Sequence, residues 1–196
     1  MSVGRKKLGK DLDILVAMAA EIDAYLMSDT LFRQMGAGLP KMTIGGFFLR
    51  AHRLNALAGT MLDQVAQQKL GMSIDQVSET ISKRQSQFQQ KLHQEAEARQ
   101  RQWNAYLIDV RQDSEARELG SYRTAVEARI ILVGLQDQAE TNQYKQSFSE
   151  TFLQKIEEDD QTLRRRWQPR KFIWAEDWES AYPEEKFWWL YGKPEA

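Results

Sequence analysis

A row of cationic side chains late in the sequence has the residue types and spacing that bind anions. It consists of Arg164, Arg165, Arg166, Arg170 and Lys171. Guanidinium groups bind phosphate and carboxylate through paired hydrogen bonds, and Trp167 and Phe172 lie beside them in the sequence, where they can stack on bases. The row is therefore a candidate anion-binding site. The alternative is ordinary helix-end chemistry, in which Asp160 pairs with Arg164 at i,i+4 and the cations complement the helix dipole.

The surrounding charges favour a protein over a nucleic acid as the partner. Acidic side chains occupy residues 157–160 on one side and Glu176, Asp177 and Glu179 on the other. The whole chain has 27 basic and 28 acidic residues and a net charge of -1. A second basic group, at residues 5–10, has the pattern of a solvated N-terminal arm. Binding of nucleic acid by the clusters at 5–10 and 164–171 is the alternative function.

The last part of the chain, residues 167–196, is rich in aromatic residues and loses helical periodicity. We predict an irregular strap with short helical turns at 177–182 and 184–190. Its candidate partner-binding residues are Trp174, Trp178, Phe187, Trp188, Trp189 and Tyr191. Tryptophan and tyrosine often anchor protein interfaces, whereas in the alternative these side chains are buried in a groove between helices. Because Trp188 and Trp189 are neighbours, we do not expect both to point inward.

No pattern of catalytic or cofactor-binding residues occurs in the sequence. The absence of cysteine excludes thiol nucleophiles and iron–sulfur clusters. Neither histidine, His52 or His93, has the upstream glutamate of a di-iron helix. The glycines between residues 36 and 46 match no nucleotide-binding loop, although Lys41 and Thr43 precede a helix N-terminus, which is a generic anion-binding arrangement. We therefore expect no catalytic residue, no cofactor and no metal site.

Helical periodicity dominates residues 8–166. The four prolines are at 40, 169, 183 and 194, so that residues 41–168 contain none to interrupt a helix. The pattern predicts a first helix over 8–27 and a short helical piece, capped by Ser28 or Asp29, that ends before a loop at 36–43. Together these form a first region, 8–35. A second helix over 44–70 would end at Gly71, and a Ser73–Gln76 capping box would start a third that reaches Val110.

The second and third helices are predicted to form a long helical hairpin over 44–112. Its stretch from Lys83 to Arg101 is unusually polar, and we expect it to project as a coiled-coil arm. Core helices are expected over 121–166, beginning at Ser121, either as one bent helix or as two that part near residues 140–142. The segment 130–135 is apolar on all sides, which predicts a central position in the core.

The predicted fold is all-α: a single helical domain over 1–196, with an antiparallel bundle of four to five helices, the long polar helical hairpin and the irregular aromatic C-terminal strap. The predicted function is non-enzymatic. It is protein–protein interaction in a structural or adaptor role, including self-association as a homodimer, through the hairpin or the tail. A helical bundle that binds a small ligand is a second alternative. The apolar runs are too short to span a bilayer, and we expect a cytoplasmic protein.

Overall fold

The structure, a computed structural model, describes residues 3–112, 118–141 and 148–195, and the chain is all-α as predicted. Its long helices are α1 (Val3–Leu26), α2 (Ile44–Met61), α3 (Gln64–Lys83), α4 (Gln85–Gln112), α5 (Leu119–Thr141) and α6 (Glu150–Arg164). The chain divides into two compact units, an N-terminal unit, Met1–Glu95, and a C-terminal unit, Ala96–Ala196. That the chain is a single domain stays a prediction. Within the described residues, none of the helices has the length and apolar composition needed to cross a bilayer.

In the N-terminal unit, α1 packs against both α2 and α3. The apolar residues that give the sequence of α1 its helical period are all buried: Leu8, Leu12, Leu15, Ala19, Ile22 and Leu26. Met18, which was not part of that predicted stripe, is buried with them. Helix α2 runs antiparallel to α1, since Arg53 Nη1 donates to Asp11 Oδ2 over 2.5 Å and Arg5 Nη2 donates to the Thr60 carbonyl over 3.3 Å. Helix α3 is parallel to α1, because Gln76 Nε2 donates to the Ala19 carbonyl over 3.0 Å and, further along both, the C-cap residue Arg84 donates to Asp23 over 2.9 Å.

The predicted turn at residues 71–73 is wrong, because the chain turns earlier. Leu62 is extended, and Asp63 caps α3 by accepting from Ala66 N at 2.8 Å. Gly71 and Ser73 lie inside α3, where Ser73 Oγ donates back to the Lys69 carbonyl instead of capping. A glycine inside a helix costs only about 1 kcal/mol relative to alanine, so the packing of α3 on α1 outweighs this local signal.

The predicted third helix is also divided, since α3 ends at Lys83 and α4 begins at Gln85. The first turns of α4 contact Thr30 and the start of α2. Lys91 Nζ donates to the Thr30 carbonyl at 3.0 Å, and Phe88 meets Phe48 edge-on with ring centroids 6.2 Å apart. Phe88, Lys91, Leu92 and Glu95 are all buried. The polar stretch up to Glu95 is therefore packed into the N-terminal unit and does not project as an arm.

The short helical piece predicted after Ser28 does not form. Residues 27–43 run without regular helix, and Arg33 and Met42 exchange two backbone hydrogen bonds as an isolated antiparallel bridge. Between them Gly38 adopts φ +80°, a conformation that glycine reaches without a steric penalty. The predicted loop over 36–43 is confirmed and the helix before it is wrong.

The C-terminal unit contains the remainder of α4 together with α5, α6 and the tail. Helix α5 starts at Leu119, before the predicted Ser121, and its central segment is buried as predicted, at Ile130, Ile131, Leu132, Val133 and Leu135. The core helices are two rather than one, since α5 ends at Thr141 and α6 begins at Glu150. The proposed parting near 140–142 falls partly on residues 142–147, which lie outside the described residues. Ser149 caps α6 by accepting from Phe152 N.

The tail has the short helical turns that its sequence predicts. A 3-10 helix covers Glu176–Ala181, α7 covers Glu184–Phe187, and a second 3-10 turn covers Trp188–Leu190. The sequence analysis did not predict the strands β1 (Trp167–Pro169) and β2 (Gly192–Pro194), which pair antiparallel. Gly192 permits this pairing, since a Cβ there would lie 2.2 Å from the Gln168 carbonyl oxygen.

Candidate functional site

The six candidate partner-binding aromatics of the tail do not form one exposed patch. Trp178, Phe187 and Trp189 are buried, whereas the other three are half-buried. Several of these rings contact one another edge-on, as in the pair Phe187 and Trp189, whose centroids are 6.2 Å apart. Trp189 is 4% exposed and its neighbour Trp188 is more open, so the two point differently, as predicted. The half-buried members are Trp174, Trp188 and Tyr191. A docking role for this cluster stays a prediction.

Two carboxylates of α6 pair with other parts of the C-terminal unit rather than with the arginines that follow them. Asp160 accepts two hydrogen bonds from Arg129 of α5, at 2.8 and 2.7 Å, so the predicted i,i+4 pair with Arg164 is wrong. Asp159 is buried and accepts from Gln100 Nε2 at 2.8 Å and Asn104 Nδ2 at 2.6 Å. Desolvation raises the pKa of the Asp159 carboxyl above its ordinary value, although these two hydrogen bonds act in the opposite direction.

The five predicted anion-binding cations are distributed over three places. The guanidinium of Arg164 lies over the Trp188 ring, 4.0 Å from its centroid. Arg165 and Arg166 line one hollow in the surface, and Arg170 and Lys171 line another. The strand β1 lies between these two pairs, which explains why residues so close in sequence face different hollows.

The first hollow has a volume of about 360 Å³ and is lined by Arg111, Thr162, Arg165 and Arg166; we call it the arginine hollow. Arg111 Nη2 and Thr162 Oγ1 are 3.5 Å apart, so the hydroxyl lies beside a guanidinium. Within the described ranges, no carboxylate oxygen lies within 4.0 Å of a guanidinium nitrogen of these three arginines. Guanidinium groups stay protonated at any physiological pH, so the positive charge of the hollow is permanent.

The second hollow has a volume of about 430 Å³ and is lined by Leu119, Arg123, Arg170, Lys171, Phe172 and Ile173; we call it the amphipathic hollow. Apolar atoms contribute more of its lining than polar atoms do. Arg170 forms an ion pair with Glu195, whereas Arg123 and Lys171 have no carboxylate within 4.0 Å among the residues that the structure describes. The hollow therefore combines an apolar floor with two cations that have no ion-pair partner there.

Sequence reasoning missed three polar members of these sites, Arg111, Thr162 and Arg123. Thr162 precedes Arg165 and Arg166 by three and four residues, so helical spacing is the sequence signal that could have identified it as their neighbour. Arg111 and Arg123 come from the end of α4 and the start of α5. No local pattern links them to the basic row, because tertiary folding alone brings these helix ends to it.

The generic anion-binding arrangement predicted before α2 is filled by the protein itself. Gly45 N donates to Glu95 Oε2 at 2.8 Å, and Thr43 Oγ1 accepts from Gly46 N at 2.9 Å. The Glu95 side chain is fully buried there, so a carboxylate of this chain occupies the helix N-terminus. In the part of the chain that the structure describes, no three His, Asp or Glu side chains are grouped as metal ligands.

The arginine hollow and the amphipathic hollow thus bring together cationic side chains of the C-terminal unit, and anion binding by them stays a prediction. No protein-family model, no curated protein and no solved structure matches this chain.

Proposed function

We propose that this chain is a non-enzymatic binding protein whose arginine hollow docks a phosphorylated side chain of a protein partner. The observation that supports it is that three arginines line one hollow of about 360 Å³, with no carboxylate at ion-pair distance from them among the described residues. Clustered like charges repel one another, so an anion bound between them relieves an unfavourable interaction.

The chemistry of the hollow favours a phosphate group over a single carboxylate. A phosphorylated side chain carries a charge of about -1.5 to -2 at neutral pH and has three acceptor oxygens. Arg111, Arg165 and Arg166 offer several N–H donors in planar forks, and the Thr162 hydroxyl adds another. One carboxylate has only two oxygens and one charge, and it leaves part of this donor set unused.

The charges around the hollow favour a protein segment over a nucleic acid. Three cations elsewhere in the C-terminal unit are engaged with the unit's own carboxylates: Arg129 with Asp160, Lys186 with Asp137, and Arg170 with Glu195. The exposed Glu157 and Glu158 of α6 would repel a long polyanion. The burial of Trp178, Phe187 and Trp189 supports the arginine hollow, rather than the aromatic tail, as the docking element.

The test is calorimetric titration of the full chain with a short neutral peptide that carries one phosphoserine. The same peptide with serine or glutamate at that position, inorganic phosphate and a single-stranded oligonucleotide are the comparison probes. The variant combines Arg165→Gln with Arg166→Gln. Its matched control combines Arg101→Gln with Lys155→Gln, which removes the same charge from exposed positions of α4 and α6.

We expect the phosphopeptide to bind, the serine peptide not to bind, and the Arg165/Arg166 variant to lose at least about tenfold in affinity while the control keeps it. Unchanged affinity in the variant contradicts the proposal. Inorganic phosphate that binds as tightly as the phosphopeptide contradicts a docking role. Tighter binding of the oligonucleotide, falling steeply with salt, establishes the nucleic-acid alternative in its place.

A further inference from the structure

The amphipathic hollow has the chemistry of a different ligand, and we infer that it binds a small organic carboxylate with an apolar body. The inference does not rest on phosphate docking at the arginine hollow. Among the lining residues, Phe172 and Ile173 are buried and Leu119 is half-buried, so they form the floor, whereas the exposed Arg123 and Lys171 form the rim. An inorganic anion would make no apolar contacts with the floor, and a purely apolar ligand would leave the cations of the rim without a bound charge. A molecule with both parts fits both.

The size of the hollow suits a ligand with one ring or a short chain. Its volume of about 430 Å³ lies in the lower part of the range of small-molecule pockets, roughly 300–1,000 Å³. Such pockets combine a mainly apolar lining with a few polar groups that orient the ligand. At the rim, Arg170 is already held by Glu195, so the ligand's carboxylate meets Arg123 and Lys171.

Two residues of the floor, Phe172 and Ile173, are held in place by the protein itself. Phe172 is packed against the Tyr191 and Tyr182 rings, with centroids 5.3 and 6.2 Å away. The backbone beside it is fixed by Ile173 N, which donates to the Leu190 carbonyl at 2.9 Å. A preorganised wall lowers the entropic cost of binding.

An indole next to the hollow provides a local reporter. Trp174, which follows Ile173 in the sequence, donates from its Nε1 to the Arg123 carbonyl of α5 at 3.4 Å. A ligand that engages Arg123 should therefore shift the Trp174 indole resonance.

Two sources share this ligand chemistry: a free aryl or alkyl carboxylic acid, and the C-terminal residue of a partner protein when its side chain is apolar. The experiment separates them with two kinds of probe. Phenylacetate represents the free acid. A peptide that ends in phenylalanine, with either a free carboxylate or a C-terminal amide, represents the chain end.

The experiment titrates phenylacetate into the isotope-labelled full chain and follows amide and indole resonances. Phenylacetamide lacks the charge and acetate lacks the apolar body, so each tests one half of the hollow. One variant combines Arg123→Gln with Lys171→Gln, against the same Arg101→Gln and Lys155→Gln control. A second variant, Leu119→Trp, fills the floor and leaves both cations in place. Thermal melting of each variant checks that it is folded.

We expect saturable shifts at residues 119–123 and 170–173 and at the Trp174 indole. Phenylacetamide and acetate should each bind at least about tenfold more weakly, and both hollow variants should lose binding that the control keeps. Displacement of phenylacetate by the free-carboxylate peptide, but not by the amide, identifies a chain end as the source. No displacement identifies a free acid. Equal binding of acetate or of phenylacetamide, shifts elsewhere in the chain, or unchanged binding in both variants overturns the inference.

Discussion

The guanidinium carbon of Arg129 lies 4.2 Å from the centroid of the Trp189 ring, while the same side chain donates two hydrogen bonds to Asp160. Arg129 is buried, with a side-chain exposure of 8%. One residue of α5 thus holds a carboxylate of α6 and an aromatic ring of the tail. The backbone of that tail residue is fixed as well, since the Tyr122 hydroxyl donates to the Trp189 carbonyl at 2.6 Å.

Replacing Arg129 with methionine should destabilise the C-terminal unit by about 3–5 kcal/mol, because the largely buried Asp160 loses its partner. Urea unfolding of the full chain, followed by circular dichroism, measures this loss. The exposed i,i+4 pair of Arg101 with Glu97 is the control, and Arg101→Met should cost less than about 0.5 kcal/mol. Equal effects of the two substitutions would contradict the role given to Arg129.

The Glu95 carboxylate should prove necessary for the start of α2. Glu95→Ala leaves the Gly45 N–H buried without this acceptor, and we expect a loss of about 1–3 kcal/mol. Glu95→Gln keeps an acceptor oxygen in place and should lose less. The measurement is the urea midpoint of each variant, and Glu79→Ala, which removes an exposed pair with Lys83, should leave it nearly unchanged. An alanine variant as stable as the glutamine variant would show that this hydrogen bond is dispensable.

Asp159 should make the stability of the protein fall as pH rises from acid. Desolvation raises its pKa in the folded state, so the folded chain binds this proton more tightly than the unfolded chain. Its contribution to the free energy of unfolding is therefore greatest below the ordinary aspartate pKa and declines through the window up to the folded-state pKa. The difference in unfolding free energy between the wild type and Asp159→Asn should decline through that window and then stay constant. A difference that grows with pH would mean that the hydrogen bonds from Gln100 and Asn104 outweigh desolvation.

Gly71→Ala separates the two possible positions of the turn between α2 and α3. Inside a helix, with nothing within 4 Å of an added Cβ, alanine should stabilise the protein by about 0.5–1 kcal/mol. At a left-handed C-cap, the same change would destabilise it. Thermal and urea unfolding of the single variant decide the sign. Gly38→Ala, at a φ of +80°, is the matched control in which destabilisation is expected.

The helical class and the stripe of α1 were predictable because they depend on periodicity, which packing reinforced. The turns were not, because several local signals competed. Ser73 and Gln76 form a valid capping box by sequence, yet in the fold Ser73 bonds back within α3 and Gln76 donates to α1. Asp63 offers an equally good cap and lies where α3 can meet α1. Tertiary contacts chose between caps of similar strength.

Only those members of the candidate sites that are close together in the sequence were predictable. The basic row supplied Arg165, Arg166, Arg170 and Lys171, and their residue types already indicated anions. Their division between two hollows depends on the change from helix to strand after Arg166, and their completion depends on Arg111 and Arg123. Those two arginines come from helix ends that are distant in sequence, and nothing in a one-dimensional pattern reports such proximity.

The pairing of β1 with β2 turns the segment between them into a closed loop. Trp167 lies opposite Pro194 and Pro169 opposite Gly192, so residues 170–191 are joined at both ends. Closing a loop of this kind has an entropic cost that grows only slowly with its length. The contacts among the aromatic rings of the segment offset this cost, and they depend on one another. Such a segment opens as one cooperative piece instead of fraying from its end. The backbone amides of residues 170–191 should therefore exchange with solvent at a common opening free energy.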